Sequence, residues 1–154
     1  MDWVGQTALK FYGRTVVDED YNGLALDERE GDRLASVLGN TDILFMRNHG
    51  VMVCAQNIAE ARDDLYHLER VAEVQVNAMR TGRPLLPADP HISKATAKQM
   101  PEGASESARL HLKSLKHRFG AKSPDYKSFC LFFQRNRCLP MRFVHGCDEQ
   151  SSLF

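Results

Sequence analysis

The sequence predicts an α/β fold in which helices pack on a small sheet that contains an antiparallel hairpin. Three observations carry this reading. Two apolar runs, Ile43-Leu44-Phe45-Met46 and Val51-Met52-Val53-Cys54, face each other across Asn48-His49-Gly50; an apolar stripe at helical spacing runs from Ile58 to Met79; and two further helical patterns follow Pro90. Short continuous apolar runs bounded by polar residues mark buried strands, and a 3.6-residue period marks helices.

Each element has its own local reason. Thr15-Val16-Val17, with Phe11 and Tyr12 upstream, is β-branched and aromatic enough for a short strand, and Tyr21-Asn22-Gly23 supplies turn chemistry after it. Asp27 caps a helix whose first turn carries Glu28 and Glu30, whose inner face carries Leu34, Ala35, Val37 and Leu38, and whose end is marked by Gly39-Asn40. In the hairpin turn Gly50 is expected at positive φ, and Asn48 tolerates a left-handed backbone. Asn57 and Glu60 have capping-box spacing and open a long helix with Ile58, Ala61, Leu65, Leu68, Ala72, Val76 and Met79 on its core face, ending at Gly82. Prolines at 84, 87 and 90 interrupt regular structure before helical patterns at His91 to Gln99 and Ser105 to Arg118.

Composition excludes several classes of function. The 154 residues are 43% hydrophobic, the proportion of one globular domain, and the 20 basic and 20 acidic residues cancel. With no basic run there is no electrostatic footprint for nucleic acid or an anionic membrane. No apolar stretch approaches the roughly 20 residues of a membrane span, and the first twenty residues do not read as a secretory leader. The expectation is a cytoplasmic protein. Cys54 lies in an apolar strand while Cys130, Cys138 and Cys147 crowd the end, which is no disulfide framework, so the thiols are read as reduced.

The run "LALDEREGDRLASVLGNTDILFMRNHGVMVCAQNIAEARDDLYHLERVAEVQ" resembles the later half of the class II aldolase/adducin domain. There an acidic helix, a strand ending in Asn-His-Gly, a second strand and a helix with "EA" and "LER" follow in this order. "QTALKFYGRTVV" before it and "RLHLKSLKHRFGAKSPDY" after it also resemble family segments, so the likeness runs from Gln6 to Tyr126. It implies a fragment of the α/β/α fold with a mainly antiparallel central sheet and flanking helices. It also implies relatives that range from zinc-dependent aldehyde-lyases acting on sugar phosphates or similar hydroxy-carbonyl compounds to noncatalytic adducin modules.

Retro-aldol chemistry leaves an enediolate that a zinc ion stabilises as a Lewis acid, and catalytic zinc takes three protein ligands with one open position. The resemblance makes His49 one of those ligands. The other two come in the family from a His-x-His pair earlier in the domain, preceded by an acidic base; no histidine precedes His49 in this sequence. The expectation is therefore a partial domain over residues 1–127 that lacks its N-terminal half, with a divergent tail over 128–154. No catalytic residue is assigned, and zinc is not held tightly by this chain alone. Self-association or a partner chain is expected, with a small carbonyl substrate only where the site is completed. The alternative is a noncatalytic adducin-like interaction or oligomerisation module.

Other conspicuous residues take plainer readings. Glu69 is a solvated carboxylate satisfied locally by Arg70. Tyr66 and His67 are packing residues, Met46, Met52 and Met79 fill core gaps, and His91, His111, His117 and His145 are no substitute ligands. In the tail, Phe129, Leu131, Phe132 and Phe133 form an apolar cluster, and Cys138, His145 and Cys147 lack the spacing of a zinc module.

Overall fold

The computed structural model describes residues 1–23 and 27–123. The readings placed on Tyr126, on the tail from residue 128 and on its cysteines and histidine lie outside these residues. The architecture below belongs to one compact unit, residues 1–114, apart from the end of the last helix, which lies beyond it.

A 3₁₀ segment, Gln6–Phe11, leads into β1 (Thr15–Asp18), α1 (Glu28–Leu38), β2 (Ile43–Met46), β3 (Gly50–Val53), α2 (Ile58–Arg80), α3 (Pro90–Gln99) and α4 (Ala104–Lys122). The strands lie in the order β1-β2-β3. The hairpin is as read: β2 and β3 are antiparallel, with Ile43 opposite Val53 and Phe45 opposite Val51. The α/β class holds, but the described sheet is mixed, because β1 runs parallel to β2. The reason is the intervening helix: strands joined through a crossover of this length return in the same direction, whereas the three-residue turn between β2 and β3 reverses the chain.

Successive strand residues point to opposite faces, and the sheet uses both. Ile43 joins Ala8, Phe11, Leu68 and Val71 in one core cluster, with Trp3, Phe45, Val51 and Val53 packed against it. Leu44, also fully buried, points to the other face, where α1 lies against β1 and β2. Helices thus cover both sides of the sheet. Burying each large apolar side chain contributes on the order of 2 kcal/mol, so Phe11, Ile43 and Leu44 are the main anchors.

Caps form where the sequence placed them. The Asp27 carboxylate accepts from the Glu30 N–H at 3.0 Å and the Asn57 side-chain Oδ1 accepts from the Glu60 N–H at 3.1 Å, each satisfying a donor that the first helical turn leaves orphaned. Two readings need correction. The 3₁₀ segment supplies three buried residues, Ala8, Leu9 and Phe11, where only residues leading into a strand were expected; six residues are too few to show a period. The inner face of α2 is rotated by about one residue: Asp63, Asp64, Leu68 and Val71 are buried, while Ile58, Leu65, Val76 and Met79 are exposed. Met79 is therefore not core filler. Paired charges on the buried face let the sheet-side stripe contain two aspartates, which an apolar template discards. Among the described residues no helix is long and apolar enough to cross a membrane.

Candidate functional site

His49 stands on the turn between β2 and β3. Its N–H donates to the Met46 carbonyl at 3.1 Å, Asn48 takes the left-handed conformation at φ 54°, and Gly50 has a φ of 154°. The turn needs both neighbours for its backbone and leaves the His49 imidazole exposed. It is also tied to β1. The Arg47 N–H donates to the Asp18 carbonyl at 3.0 Å, and Arg47 Nη1 donates to the Glu19 carbonyl at 3.3 Å.

The hollow that His49 lines is walled by Asp18, Asp20, Glu30, Arg33 and Met46. Arg33 organises it. Its Nη1 and Nη2 donate to the two Asp18 carboxylate oxygens at 3.0 and 2.6 Å, while Nε and Nη2 reach Glu30 at 2.9 and 2.7 Å. The Arg33 fork holds the Asp18 carboxyl below its ordinary range against the opposing effect of burial, with the Asp20 N–H helping; the same guanidinium lowers Glu30. Bidentate geometry of this kind fixes orientation as well as charge.

The zinc site that the resemblance implies does not fit this wall. Asp18 and Glu30 already face a guanidinium, which leaves His49 and Asp20, and among the described residues no three His, Cys, Asp or Glu side chains are grouped to hold a metal ion. Cys54, expected within the strand, lies just past the end of β3; its free thiol is pushed up by burial and by Asp42, away from nucleophilic use.

A second polar cluster, which the sequence reading missed, joins the 3₁₀ segment, α2 and α4. Lys10 Nζ lies 2.8 Å from Asp63 Oδ2 and 2.9 Å from Asp64 Oδ1. Arg14 spans Asp64 at 2.6 Å and Asp42 at 2.7 Å. His111 Nδ1 is 2.8 Å from Asp63 Oδ1, and His67 Nε2 is 3.6 Å from the same oxygen. Burial would raise the Asp63 carboxyl, but the His111 and Lys10 contacts outweigh it and hold it low. The signal was present as Lys10 and Arg14 four residues apart, and Asp63 and His67 four residues apart on one helix face. Tyr66 and His67 belong to this surface cluster, with the Tyr66 ring edge-on to both imidazoles, so they are not simple packing residues. Glu69 behaves as read, beside Arg70 at 3.5 Å.

The Class II Aldolase and Adducin N-terminal domain matches residues 1–76, the span that contains the sheet, the His49 turn and most of α2. Residues 1–76 are a class II aldolase/adducin domain. A Pseudomonas aeruginosa protein whose name places it in aldolase class 2 is 38% identical over 66 residues, covering 43% of this chain and 26% of its own length. An adducin-related protein of Schizosaccharomyces pombe is 35% identical over 63 residues, 41% of this chain and 19% of the relative. The crystal structure of an aldolase II superfamily protein from Pseudomonas syringae superposes with a TM-score of 0.69 at 25% identity, over 80% of this chain and half of that one. The class II aldolase/adducin match thus covers about a quarter or less of these two relatives' lengths. The family match stops within α2, short of the likeness expected as far as Tyr126, while the structural likeness covers more of the chain.

Proposed function

We propose that the chain is a class II aldolase/adducin module that presents His49, one ligand of a zinc-dependent aldehyde-lyase site, and is catalytically incomplete by itself. The observation that carries this reading is the His49 turn: a solvent-facing imidazole on a rigid hairpin, pinned to β1 through Arg47, with the neighbouring carboxylates committed to Arg33. A site held on a strand end is aimed by its scaffold, but one imidazole and one free carboxylate fall short of a catalytic zinc's three ligands. A further chain or segment supplying the remaining ligands and a base would complete it, for a small hydroxy-carbonyl substrate in the cytoplasm.

The test is metal analysis of the purified chain after dialysis against zinc, with His49→Ala alongside. Well under one equivalent in both supports the reading. About one equivalent in the parent that vanishes in His49→Ala overturns it.

The second reading is a noncatalytic adducin-like module. Its support is the exposed apolar stripe of α2, a surface suited to association rather than chemistry. Mixing with a homologous N-terminal segment separates the two: gain of chelator-sensitive retro-aldol activity supports the lyase lineage, and association without activity supports the adducin-like one.

A further inference from the structure

The Asp63 carboxylate is crowded in an unusual way. Lys10 occupies Oδ2 at 2.8 Å, while two imidazoles from different helices converge on Oδ1: His111 of α4 at 2.8 Å and His67 of α2 at 3.6 Å. Their ring centroids are 6.4 Å apart, and Tyr66 stands edge-on to both. One oxygen thus has one close imidazole and a second waiting less than 1 Å beyond hydrogen-bond range.

The close imidazole is what joins α4 to α2. In the first half of α4 only Ala108 is fully buried, and Leu110 is half exposed. Little apolar area therefore holds residues 104–114 down, and a segment with few buried contacts opens at low cost. We propose that residues 104–114 form a pH-operated latch in which His67 and His111 share one oxygen of Asp63, so that protonating His67 displaces His111 and releases this part of α4.

The charges facing His67 set the direction. Lys10 from the 3₁₀ segment, Asp63 and Asp64 from its own helix and His111 from α4 surround it, and Arg14 neutralises the far side of Asp64. Burial, then Lys10, lower the His67 imidazole below its ordinary 6.5, with His111 adding to the effect and the aspartates opposing it. A base held low in the docked state takes up its proton more readily once undocked, so docking is favoured above that pH and weakened as pH falls through it. Release leaves no orphan: Lys10 stays on Oδ2, and protonated His67 takes Oδ1 as an i,i+4 partner. Two packings that both satisfy a buried carboxylate make a bistable element. The latch stands independently of the function proposed for His49.

Hydrogen exchange of the full chain at pH 7.5 and 5.5, corrected for intrinsic rates, tests it. Protection of residues 104–114 should fall about tenfold or more at pH 5.5, while residues 63–71 of α2 keep theirs. His67→Gln should abolish the pH dependence, and His111→Gln should lower protection at both pH values. Equal parental protection at the two pH values, a drop shared by residues 63–71, a drop that survives in His67→Gln, or full protection in His111→Gln overturns the proposal. Should His67→Gln fail to fold, NMR titration of the parent decides: a His67 midpoint coincident with the loss of protection supports the latch, and a separate midpoint overturns it.

Discussion

The Arg47 N–H donates to the Asp18 carbonyl at 3.0 Å, and Asp18 presents its carboxylate to Arg33 through two bonds of 3.0 and 2.6 Å. Through this pair the turn that carries His49 is coupled to the end of β1 and to α1. Asp18 is 4% exposed, so removing the guanidinium leaves a buried carboxylate without its partner. Arg33→Ala should lower the melting temperature and shift the His49 ring resonances; Arg33→Lys should fall between the variant and the parent, because a single ammonium cannot reproduce the fork. Unchanged His49 resonances in a folded Arg33→Ala protein would disprove the coupling.

Acid stability follows from the same carboxylates. Asp18 and Glu30 are held low chiefly by Arg33, and Asp63 is held low against burial by His111 and Lys10. A carboxyl whose folded value is depressed contributes stability that is complete above its unfolded value, ordinarily about 4, and is lost as pH falls toward the folded value. Global unfolding monitored by circular dichroism should therefore set in below about pH 4. That window lies under the one in which His67 acts, so local release of α4 and global unfolding should separate on the pH axis. A single transition near pH 6 would refute the separation.

The core offers a sharper magnitude. Ile43 is fully buried at the junction of the 3₁₀ segment, the sheet and α2. Ile43→Ala should cost about 2–5 kcal/mol by urea denaturation, the transfer term plus the cavity left among neighbours that relax only in part. Asn57→Ala, which removes one capping bond at the start of α2, should cost about 1 kcal/mol. Reversal of this order would mean that α2 is held by its local capping more than by its packing.

What the sequence made legible was local. The hairpin and both N-caps are set by residues within a few positions of each other, and Asn48, Gly50, Asp27 and Asn57 announce them. The parallel β1–β2 pairing depends on where α1 returns the chain, which no short pattern records. The face of α2 was misjudged for a related reason: Lys10 and Arg14, about fifty residues away, make it favourable to bury Asp63 and Asp64, and a hydrophobicity template cannot see a distant counter-ion. The place of His49 on the hairpin turn was legible in the sequence, but the Arg33 fork that occupies the carboxylates beside it was not.

The outward stripe of α2 bears on assembly. Leu65 is 45% exposed, Val76 52% and Met79 57%, and they fall on one stripe of a 23-residue helix, one residue's turn, roughly 100°, away from the stripe committed to the core. Contiguous exposed apolar surface on a helix is a docking face more often than an accident of composition, and self-association through it is the expectation for this chain. Replacing all three with Gln should change folding stability by no more than about 0.5 kcal/mol per site, as for surface positions generally, because none contributes to the buried cluster. Sedimentation velocity across a concentration series should then show the parent shifting to larger species and the triple variant remaining monomeric. A parent that stays monomeric throughout would overturn self-association, and a triple variant that associates equally well would remove α2 from the interface and direct attention to the outer strands β1 and β3 instead.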